Sequence, residues 1–333
     1  MTCLKKVQIY GTLGPACREE ETLARMLREG MTGVRLNLSH TTLEDAADLI
    51  ETYHSAARRC GLRPELLIDI QGPELRIGAL EAPLQLEAGA LIPPEAIPFP
   101  AKVKAVLAKA PRGQELLLDD GRLLLRTELP EGLQVLRGGL LESRKSVALP
   151  GRRIATPAVT ETDRRNLRQA KAFGVTAVMQ PFVRGAGDLT ELRRALEAAD
   201  CGELRVLAKI ENLDGLRALD EILPCCDEVV IARGDLGNAV PLWELPAVQK
   251  RISAACRAAG RDFMVVTQML DSMTHRPVPT RAELSDIFNA VLDGAASVMV
   301  TGETASGEYP AEVLRYLSKT VRTAEAYRDQ AGV

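Results

Sequence analysis

The sequence is poor in several residue types on which whole classes of protein depend. Of its 333 residues, 3 are histidine and 1 is tryptophan, and aromatic residues make up 3% of the chain. Its 7 cysteines are scattered without any C-x-x-C spacing, so we predict neither a disulfide framework nor a zinc site. With so few histidines, we do not expect a catalytic Cys/His or Ser/His pair.

Long apolar runs, a strong excess of one charge and the common nucleotide motifs are also missing. No segment reaches the ~18 consecutive apolar residues of a membrane helix, so we expect a cytoplasmic protein without membrane contacts. The formal net charge of -3 argues against nucleic-acid binding. There is no G-x-x-x-x-G-K-[ST] motif, and Gly11–Pro15 lacks the spacing of a dinucleotide fingerprint. Any nucleotide must therefore be held in another way.

What the chain does contain is an alternation of short β-rich apolar runs with longer helical patterns. Hydrophobic residues make up 46% and charged residues 26%, which is typical of a soluble globular protein. The alternation predicts repeated βα units around a parallel sheet. The candidate strands number eight, which closes a (β/α)8 TIM barrel of the α/β class. They are Val7–Gly11, Gly33–Leu38, Glu65–Ile70, Ala177–Gln180, Arg205–Ile210, Glu228–Ala232, Phe263–Thr267 and Ser297–Val300.

Helices are predicted between most of these strands, because apolar residues recur there at three- and four-residue spacing. Polar, glycine-containing turns follow most of the strands, and in a barrel of this kind such turns form the active-site face. The predicted helices include Glu19–Arg28, Leu43–Arg59, Glu161–Phe173, Leu189–Ala199, Pro246–Ala259 and Ala311–Arg328.

One interval, residues 79–145, breaks the rhythm. The helical period vanishes there, prolines cluster within Leu91–Pro98, and Glu115–Leu125 has the pattern of a hairpin that turns at Asp120-Gly121. We predict a small β domain inserted after the third strand, with the barrel formed by residues 1–78 and 146–333. A disordered loop is the alternative, but it would leave many aliphatic residues without burial.

Charged residues at two neighbouring strand ends indicate a metal and phosphate site. Lys209 and Glu211 are two residues apart, so both side chains leave the same face of the fifth strand. Such a pair is either a structural ion pair or part of a site. Asp235 follows the next strand, and two converging carboxylates offer the hard oxygen ligands that magnesium prefers. Gly234 lets backbone N–H groups approach an anionic ligand closely.

Further polar residues belong to the same rim. Arg35 and Asn37 share one face of the second strand, and Thr267 supplies a hydroxyl after the seventh strand. Arg76 follows the turn after the third strand. Two arginines and a lysine around a metal would neutralise a phosphoryl group in its transition state. Composition and spacing alone thus indicate a metal-assisted phosphate or enolate enzyme on a barrel.

Segments at successive strand ends resemble, in order, the motifs of the pyruvate kinase family. The resemblance covers the whole predicted barrel, and Asp119–Gly121 and Arg144–Gly151 of the inserted domain match too. The barrel segments are Gly11–Ala16 (GTLGPA), Gly30–His40 (GMTGVRLNLSH), Asp69–Gly78 (DIQGPELRIG), Ala208–Asn212 (AKIEN), Ala232–Gly237 (ARGDLG), Thr267–Met273 (TQMLDSM), Pro279–Glu283 (PTRAE), Asn289–Gly294 (NAVLDG) and Gly302–Ala305 (GETA).

This resemblance implies phosphoryl transfer from phosphoenolpyruvate to ADP, giving pyruvate and ATP, a reaction of glycolysis. Lys209 would stabilise the transferring phosphoryl group and the enolate, and Arg35 would contact phosphate. Thr267 would help to deliver a proton to the enolate carbon. Glu211 and Asp235 would bind Mg2+ or Mn2+.

The resemblance also implies a potassium site and a catalytic contribution from the inserted domain. Asn37, Ser39, Asp69 and the backbone oxygen of Ile70 match the potassium ligands, and Glu74 matches the glutamate that accompanies potassium dependence. The inserted domain would close over the barrel mouth, with Asp119 and Lys145 on its catalytic face. The substrate-binding set implied in this way is Arg35, Arg76, Gly234, Asp235, Thr267, Lys145 and Asp119.

The chain differs from the family pattern in its length, because it ends at Val333. We therefore expect no C-terminal regulatory domain and no effector site of the kind that domain carries. A homo-oligomer is expected through the barrel helices near Leu242–Lys250 and Pro279–Asp286. Two other functions are compatible with the carboxylate pair. One is a related metal-dependent enolate enzyme, an aldolase or lyase acting on pyruvate or phosphoenolpyruvate, and the other is an inactive phosphate-ligand sensor.

Overall fold

Fifteen strands and twelve α-helices are found in the residues that the structure, a computed structural model, describes: 6–331 except 120, 129, 153 and 155. The strands are β1 Gln8–Thr12, β2 Gly33–Asn37, β3 Glu65–Asp69, β4 Leu84–Leu86, β5 Leu91–Ile92, β6 Glu115–Leu118, β7 Leu123–Thr127, β8 Leu133–Arg137, β9 Gly139–Leu141, β10 Val147–Ala148, β11 Ala177–Gln180, β12 Arg205–Ile210, β13 Glu228–Ala232, β14 Asp262–Val266 and β15 Ser297–Met299.

The helices surround the sheet or lie in the inserted segment. They are α1 Glu20–Arg28, α2 Ala47–Arg59, α3 Ala101–Leu107, α4 Glu161–Ala170, α5 Ala186–Ala198, α6 Leu213–Arg217, α7 Leu219–Ile222, α8 Arg233–Ala239, α9 Leu245–Ala258, α10 Arg281–Leu292, α11 Gly302–Ala305 and α12 Pro310–Ala331. No helix in the described part of the chain has the length and apolar character that crossing a membrane requires.

Eight parallel strands close into a barrel in the order β1-β15-β14-β13-β12-β11-β3-β2. The predicted (β/α)8 barrel is therefore confirmed, and each predicted strand agrees with the structure to within one residue at each end. Closure comes from the pairing of β1 with β15, where Gln8 lies opposite Ser297. Because all eight strands are parallel, their carboxyl ends meet on one face of the barrel.

Alternation along the strands produces two separate cores in the barrel unit. Side chains such as Leu67, Met179, Leu207 and Met264 fill the barrel interior. Their immediate neighbours in sequence point outward and pack under the surrounding helices. Side chains two positions beyond an interior residue therefore reach the carboxyl-end mouth, which is how the site residues described below are placed.

The inserted unit spans Pro73–Pro157, with the barrel unit formed by 1–72 and 158–333. It is wider than the predicted 79–145 because flanking residues contribute to its own sheet and core. β10 pairs with β6, Arg76 bridges Ser146, and both Ile77 and Leu149 are buried in the core of this unit. Its strands form a five-stranded sheet, β10-β6-β7-β8-β5, and the separate pair β4-β9.

One expectation about the inserted unit was wrong, since it contains a helix. Helix α3 follows Pro100 directly and buries Val103 and Leu107 in the core of the unit. Seven residues between a proline-rich segment and a turn are too few to show a clear helical period. The predicted hairpin is present as β6 and β7, although Asp120 of its turn lies outside the described residues.

Candidate active site

Buried charged residues gather where β2, β3 and β12 end. Arg35 and Asn37 of β2, Asp69 of β3, and Lys209 of β12 with Glu211 just after it continue the inward-facing rows of the barrel. Asn37 lies opposite Asp69 in the register of β2 and β3. The two-residue spacing thus brings Lys209 and Glu211 to one side, as the sequence predicts.

Four of these side chains form a continuous ion network. The Arg35 guanidinium donates to Asp69 Oδ2 from Nε at 2.9 Å and from Nη2 at 2.6 Å. Lys209 Nζ donates to the same oxygen at 3.0 Å and lies 2.9 Å from Glu211 Oε1. Asp69 is 2% exposed and Glu211 is 3% exposed. Two cations and two anions therefore share a space largely closed to water, where charge interactions are strong.

The neighbouring charges keep this network ionised despite its burial. Burial on its own would raise the pKa of Asp69, but the charges and hydrogen bonds of Lys209 and Arg35 outweigh it and lower the pKa. Burial likewise acts to lower the pKa of Lys209, while Asp69 and Glu211 raise it above its ordinary value. Lys209 is thus held as an ammonium, the form that can stabilise negative charge on a ligand.

Asp69 has one oxygen that the network leaves without a partner. Its Oδ1 is buried and accepts no hydrogen bond from the described residues. Nearby on β2 and just after it, Asn37 Oδ1 accepts from the backbone N–H of Ser39 at 3.2 Å. A buried carboxylate oxygen without a partner, together with the side-chain oxygens of Asn37 and Ser39, is a donor set suited to a hard cation. The residues present therefore fit the expected potassium ion.

Glu211 is oriented by a contact that sequence reasoning missed. Its Oε2 accepts from the backbone N–H of Phe182 at 2.7 Å. Phe182 follows β11 with a φ of 49°, a conformation rare for a bulky residue. Such strain is commonly concentrated at functional sites. The only sequence signal near it is the Pro181-Phe182 dipeptide after the strand.

Asp235 lies in the first turn of α8, directly after β13 and therefore one strand from Glu211. No group of three or more histidine, cysteine or carboxylate side chains in the described residues forms a metal cluster. Two carboxylates from adjacent strand ends are the donor set of a magnesium site that leaves positions for water and substrate oxygens. The donor chemistry of Glu211 and Asp235 fits that ion.

Thr267 is fixed by an arginine to which the sequence assigned no role. Thr267 follows β14 with a φ of 77°, which is strained for a β-branched residue. Arg233 grips its carbonyl oxygen from Nε at 3.1 Å and from Nη2 at 2.7 Å, and pairs with Asp286 at 2.5 Å. A Cβ on Gly234 would lie 3.1 Å from Thr267 Cγ2. The glycine of the ARGDLG motif thus lets the two strand ends approach.

The other predicted site residues belong to the inserted unit. Arg76 lies 2.7 Å from Glu74 and donates to the carbonyl of Arg144 at 3.0 Å. Lys145 lies 3.0 Å from Asp119, which is 9% exposed and has a φ of 48°. Partial burial acts to lower the pKa of Lys145, but hydrogen bonding to Asp119 raises it. Asp119 and Lys145 are therefore an ordered pair within this unit.

A second ion network, which contains one buried carboxyl, occupies the opposite, amino-terminal end of the barrel. Glu228 begins β13 and accepts from Ser297 Oγ, and its Oε2 lies 2.7 Å from Arg205 Nη2. Arg205 also lies 2.9 Å from Glu65, which accepts from the Tyr10 hydroxyl at 2.5 Å. Burial raises the pKa of Glu228 to about 7, against the lowering effects of Ser297 and Arg205. Residues at this face of a (β/α)8 barrel usually serve the stability of the fold, whereas catalytic residues lie at the opposite face.

Comparison with known proteins identifies relatives over almost the whole chain. A family model described as pyruvate kinase, barrel domain, matches residues 4–314. The pyruvate kinase of Geobacillus stearothermophilus is 36% identical over an alignment of 337 positions, which covers 97% of this chain and 57% of that protein. Pyruvate kinase PKLR of Homo sapiens is 37% identical over 97% of this chain and 60% of its own length.

A third pyruvate kinase matches this chain over a larger share of its own length. The pyruvate kinase of Thermococcus litoralis is 35% identical over 98% of this chain and 71% of that protein. Against the Geobacillus relative, the chain spans little more than half the length. The similarity includes the segments that carry Arg35, Asp69, Lys209 and Glu211, because it extends over nearly all of the chain.

Proposed function

The chain belongs to the pyruvate kinase family, and we propose that it transfers the phosphoryl group of phosphoenolpyruvate to ADP. The observation that carries this proposal is the buried network of Arg35, Asp69, Lys209 and Glu211 at the carboxyl ends of the barrel strands. Family membership supports the reaction, because curated relatives of this name match 97% of the chain. A cytoplasmic location is part of the same proposal.

The phosphoryl group passes between two oxygens. Its bond to the enolate oxygen of phosphoenolpyruvate breaks, a bond to a terminal oxygen of ADP forms, and the enolate carbon takes a proton to give pyruvate. Arg35 and Lys209 hold the negative charge of the phosphoryl group as it moves, since both are cations in a largely dry site. Thr267, held by Arg233, helps to direct the proton to the carbon.

The cations of the family extend this chemistry. Mg2+ or Mn2+, held by Glu211 and Asp235, would neutralise developing charge on the phosphoryl oxygens. Potassium would be held by Asn37, Ser39, Asp69 and the backbone oxygen of Ile70, and the unpartnered Asp69 Oδ1 supports that assignment. In the inserted unit, Arg76, Asp119 and Lys145 would act on the nucleotide side, and closure of that unit would exclude water.

Association into a homo-oligomer is the remaining part of the proposal. Leu242 is 70% exposed and Trp243 is 83% exposed in the segment between α8 and α9, and Val278 before α10 is also exposed. Large apolar side chains exposed before the starts of α9 and α10 are candidates for an interaction surface. Their place near Leu242–Lys250 and Pro279–Asp286 supports a contact between copies of the chain. Light scattering of the purified chain tests this contact.

The decisive experiment measures ATP formation from phosphoenolpyruvate and ADP, with Mg2+ and K+ added separately and together. We expect turnover that needs Mg2+, and Lys209→Met should reduce it by a factor of about a thousand or more, because the main cation at the phosphoryl group is lost. Lys171→Met is the matched control, since Lys171 is an exposed lysine that pairs with Asp200 on the surface of the barrel unit and lies outside both proposed contact segments.

Three results would contradict the proposal. Ordinary turnover by Lys209→Met would remove the phosphoryl-stabilising role of that residue. Absence of ATP with both ions present, together with cleavage or condensation of a pyruvate-containing substrate, would favour an aldolase or lyase. Ligand binding without any turnover would favour a phosphate-ligand sensor.

A further inference from the structure

The turn that leaves β3 is fixed at every backbone N–H. This turn, residues 70–72, lies between Asp69 and Pro73, where the inserted unit begins. The N–H of Ile70 donates to the carbonyl of Met179 at 3.2 Å. The N–H groups of Gln71 and Gly72 donate to the two carboxylate oxygens of Asp163, at 2.8 and 3.1 Å. A single side chain therefore holds two successive peptide groups.

Asp163 does more than its own helix requires. It is fully buried in the first turn of α4, where it forms a capping box with Thr160. Its Oδ2 accepts from Thr160 N at 2.8 Å, and its own N–H donates to Thr160 Oγ1 at 3.1 Å. A capping box is complete with those contacts. The bonds to Gln71 and Gly72 join α4 to a turn about ninety residues earlier, so they need another explanation.

The bond from the Gln71 N–H to Asp163 determines the direction of the Ile70 carbonyl, because the two groups belong to one planar peptide unit. In a trans peptide the N–H and the C=O point in opposite directions. Because the Gln71 N–H points at Asp163, the Ile70 carbonyl points away from Asp163. That carbonyl belongs to the residue next to Asp69, whose Oδ1 is buried and has no partner among the described residues. The turn thus constrains the direction of one oxygen of the proposed potassium site, the Ile70 carbonyl, which is next in sequence to the unpartnered oxygen of Asp69.

Gly72 lets the turn sit tightly enough for this arrangement. Its φ is +60°, and a Cβ there would lie 2.6 Å from Pro181 Cγ. We propose that Asp163 is a positioning residue of the cation site, which aims the Ile70 carbonyl at the potassium ion by holding the Gln71 N–H. This inference rests on the potassium site of the proposed function. It means that Asp163, which is not itself a potassium ligand, contributes to the affinity of that site for the ion.

The test uses potassium alone, without substrate or turnover. The wild-type chain and Asp163→Asn are titrated with KCl against tetramethylammonium chloride at constant ionic strength, and thermal stability is recorded. Outer-shell partners of metal ligands are worth about 10- to 100-fold in affinity, so we expect Asp163→Asn to raise the half-maximal K+ concentration about tenfold or more. Thr160→Ala is the control, because it removes the cap but leaves the Gln71 contact, and its K+ midpoint should equal that of wild type.

Hydrogen exchange supplies a second readout. Because part of it is measured on the wild-type chain, the inference stays testable even if Asp163→Asn does not fold. In the wild-type chain, K+ should slow exchange of the Gln71 and Gly72 amides, and Asp163→Asn should speed it. A K+ midpoint unchanged in Asp163→Asn, an equal change in Thr160→Ala, or no effect of K+ on wild type would overturn the inference. Failure to form ATP would instead overturn the proposed reaction, since neither readout depends on turnover.

Discussion

Glu228 should make the barrel less stable as the pH rises. Its carboxyl is 1% exposed at the amino-terminal end of β13, and burial raises its pKa from 4.5 to about 7. The Asp262 and Glu65 carboxylates act in the same direction, while Ser297 and Arg205 oppose them. Between these two pKa values the folded chain binds a proton that the unfolded chain has released. The stability that protonated Glu228 contributes is therefore fully present below pH 4.5 and is lost as the pH rises through 7.

The size of the effect follows from the two pKa values. A carboxyl that titrates at about 7 when folded and at 4.5 when unfolded contributes roughly 2–3 kcal/mol more stability at pH 5 than at pH 8. Glu228→Gln removes this titration while keeping nearly the same shape. The stability of Glu228→Gln relative to wild type should therefore rise by roughly 2–3 kcal/mol from pH 5 to pH 8.

The assay must report on the barrel rather than on the inserted unit, because each has its own core. Hydrogen exchange of the buried β13 amides, Val229–Ala232, gives the free energy of barrel opening at each pH. Glu203→Gln, at an exposed position just before β12, serves as the control and should leave the pH dependence of wild type unchanged. A difference between Glu228→Gln and wild type that does not change with pH would refute the reasoning.

Two further predictions concern the glycine turn and the phosphate contact. Gly72→Ala should cost about 2–4 kcal/mol in urea unfolding, because it adds a clash with Pro181 to the cost of a positive φ. Gly61→Ala, with a similar φ and no atom within 4 Å, should cost only about 1 kcal/mol, and equal losses would contradict the clash. Arg35→Lys loses the two-pronged grip on Asp69 and should lower kcat/KM for phosphoenolpyruvate about tenfold or more. A value within twofold of wild type would contradict it.

The barrel could be predicted from the sequence because its strands are short apolar runs that contain valine and isoleucine, and because polar, glycine-containing turns follow most of them. Periodicity located every barrel strand to within a residue and placed Lys209 and Glu211 side by side. Helix α3 escaped prediction because seven residues after a proline carry too little periodicity. The boundary of the inserted unit was set too narrowly because β10 pairs with a distant strand, which no local pattern records.

The parts of the site that the sequence did not reveal are contacts made by the backbone. Phe182 holds Glu211 through its N–H, and Asp163 holds the N–H groups of Gln71 and Gly72. Such contacts place no requirement on the side chain of the donor, so they leave no pattern of residue types. Arg233 likewise donates to the backbone carbonyl of Thr267, a contact that places no requirement on the side chain of the acceptor. Only the folded chain brings the partners of each contact together.

The closure of the barrel by β1 and β15 has a consequence for how the chain folds. Gln8 and Ser297 lie near opposite ends of the sequence, so their pairing must bring together strands separated by almost the entire chain. The entropy of closing so long a loop delays this step, whereas neighbouring βα units can associate early. During synthesis, β1 therefore has one unpaired edge until β15 has left the ribosome. Among the barrel strands, β1 is therefore the one that stays open to wrong partners for longest.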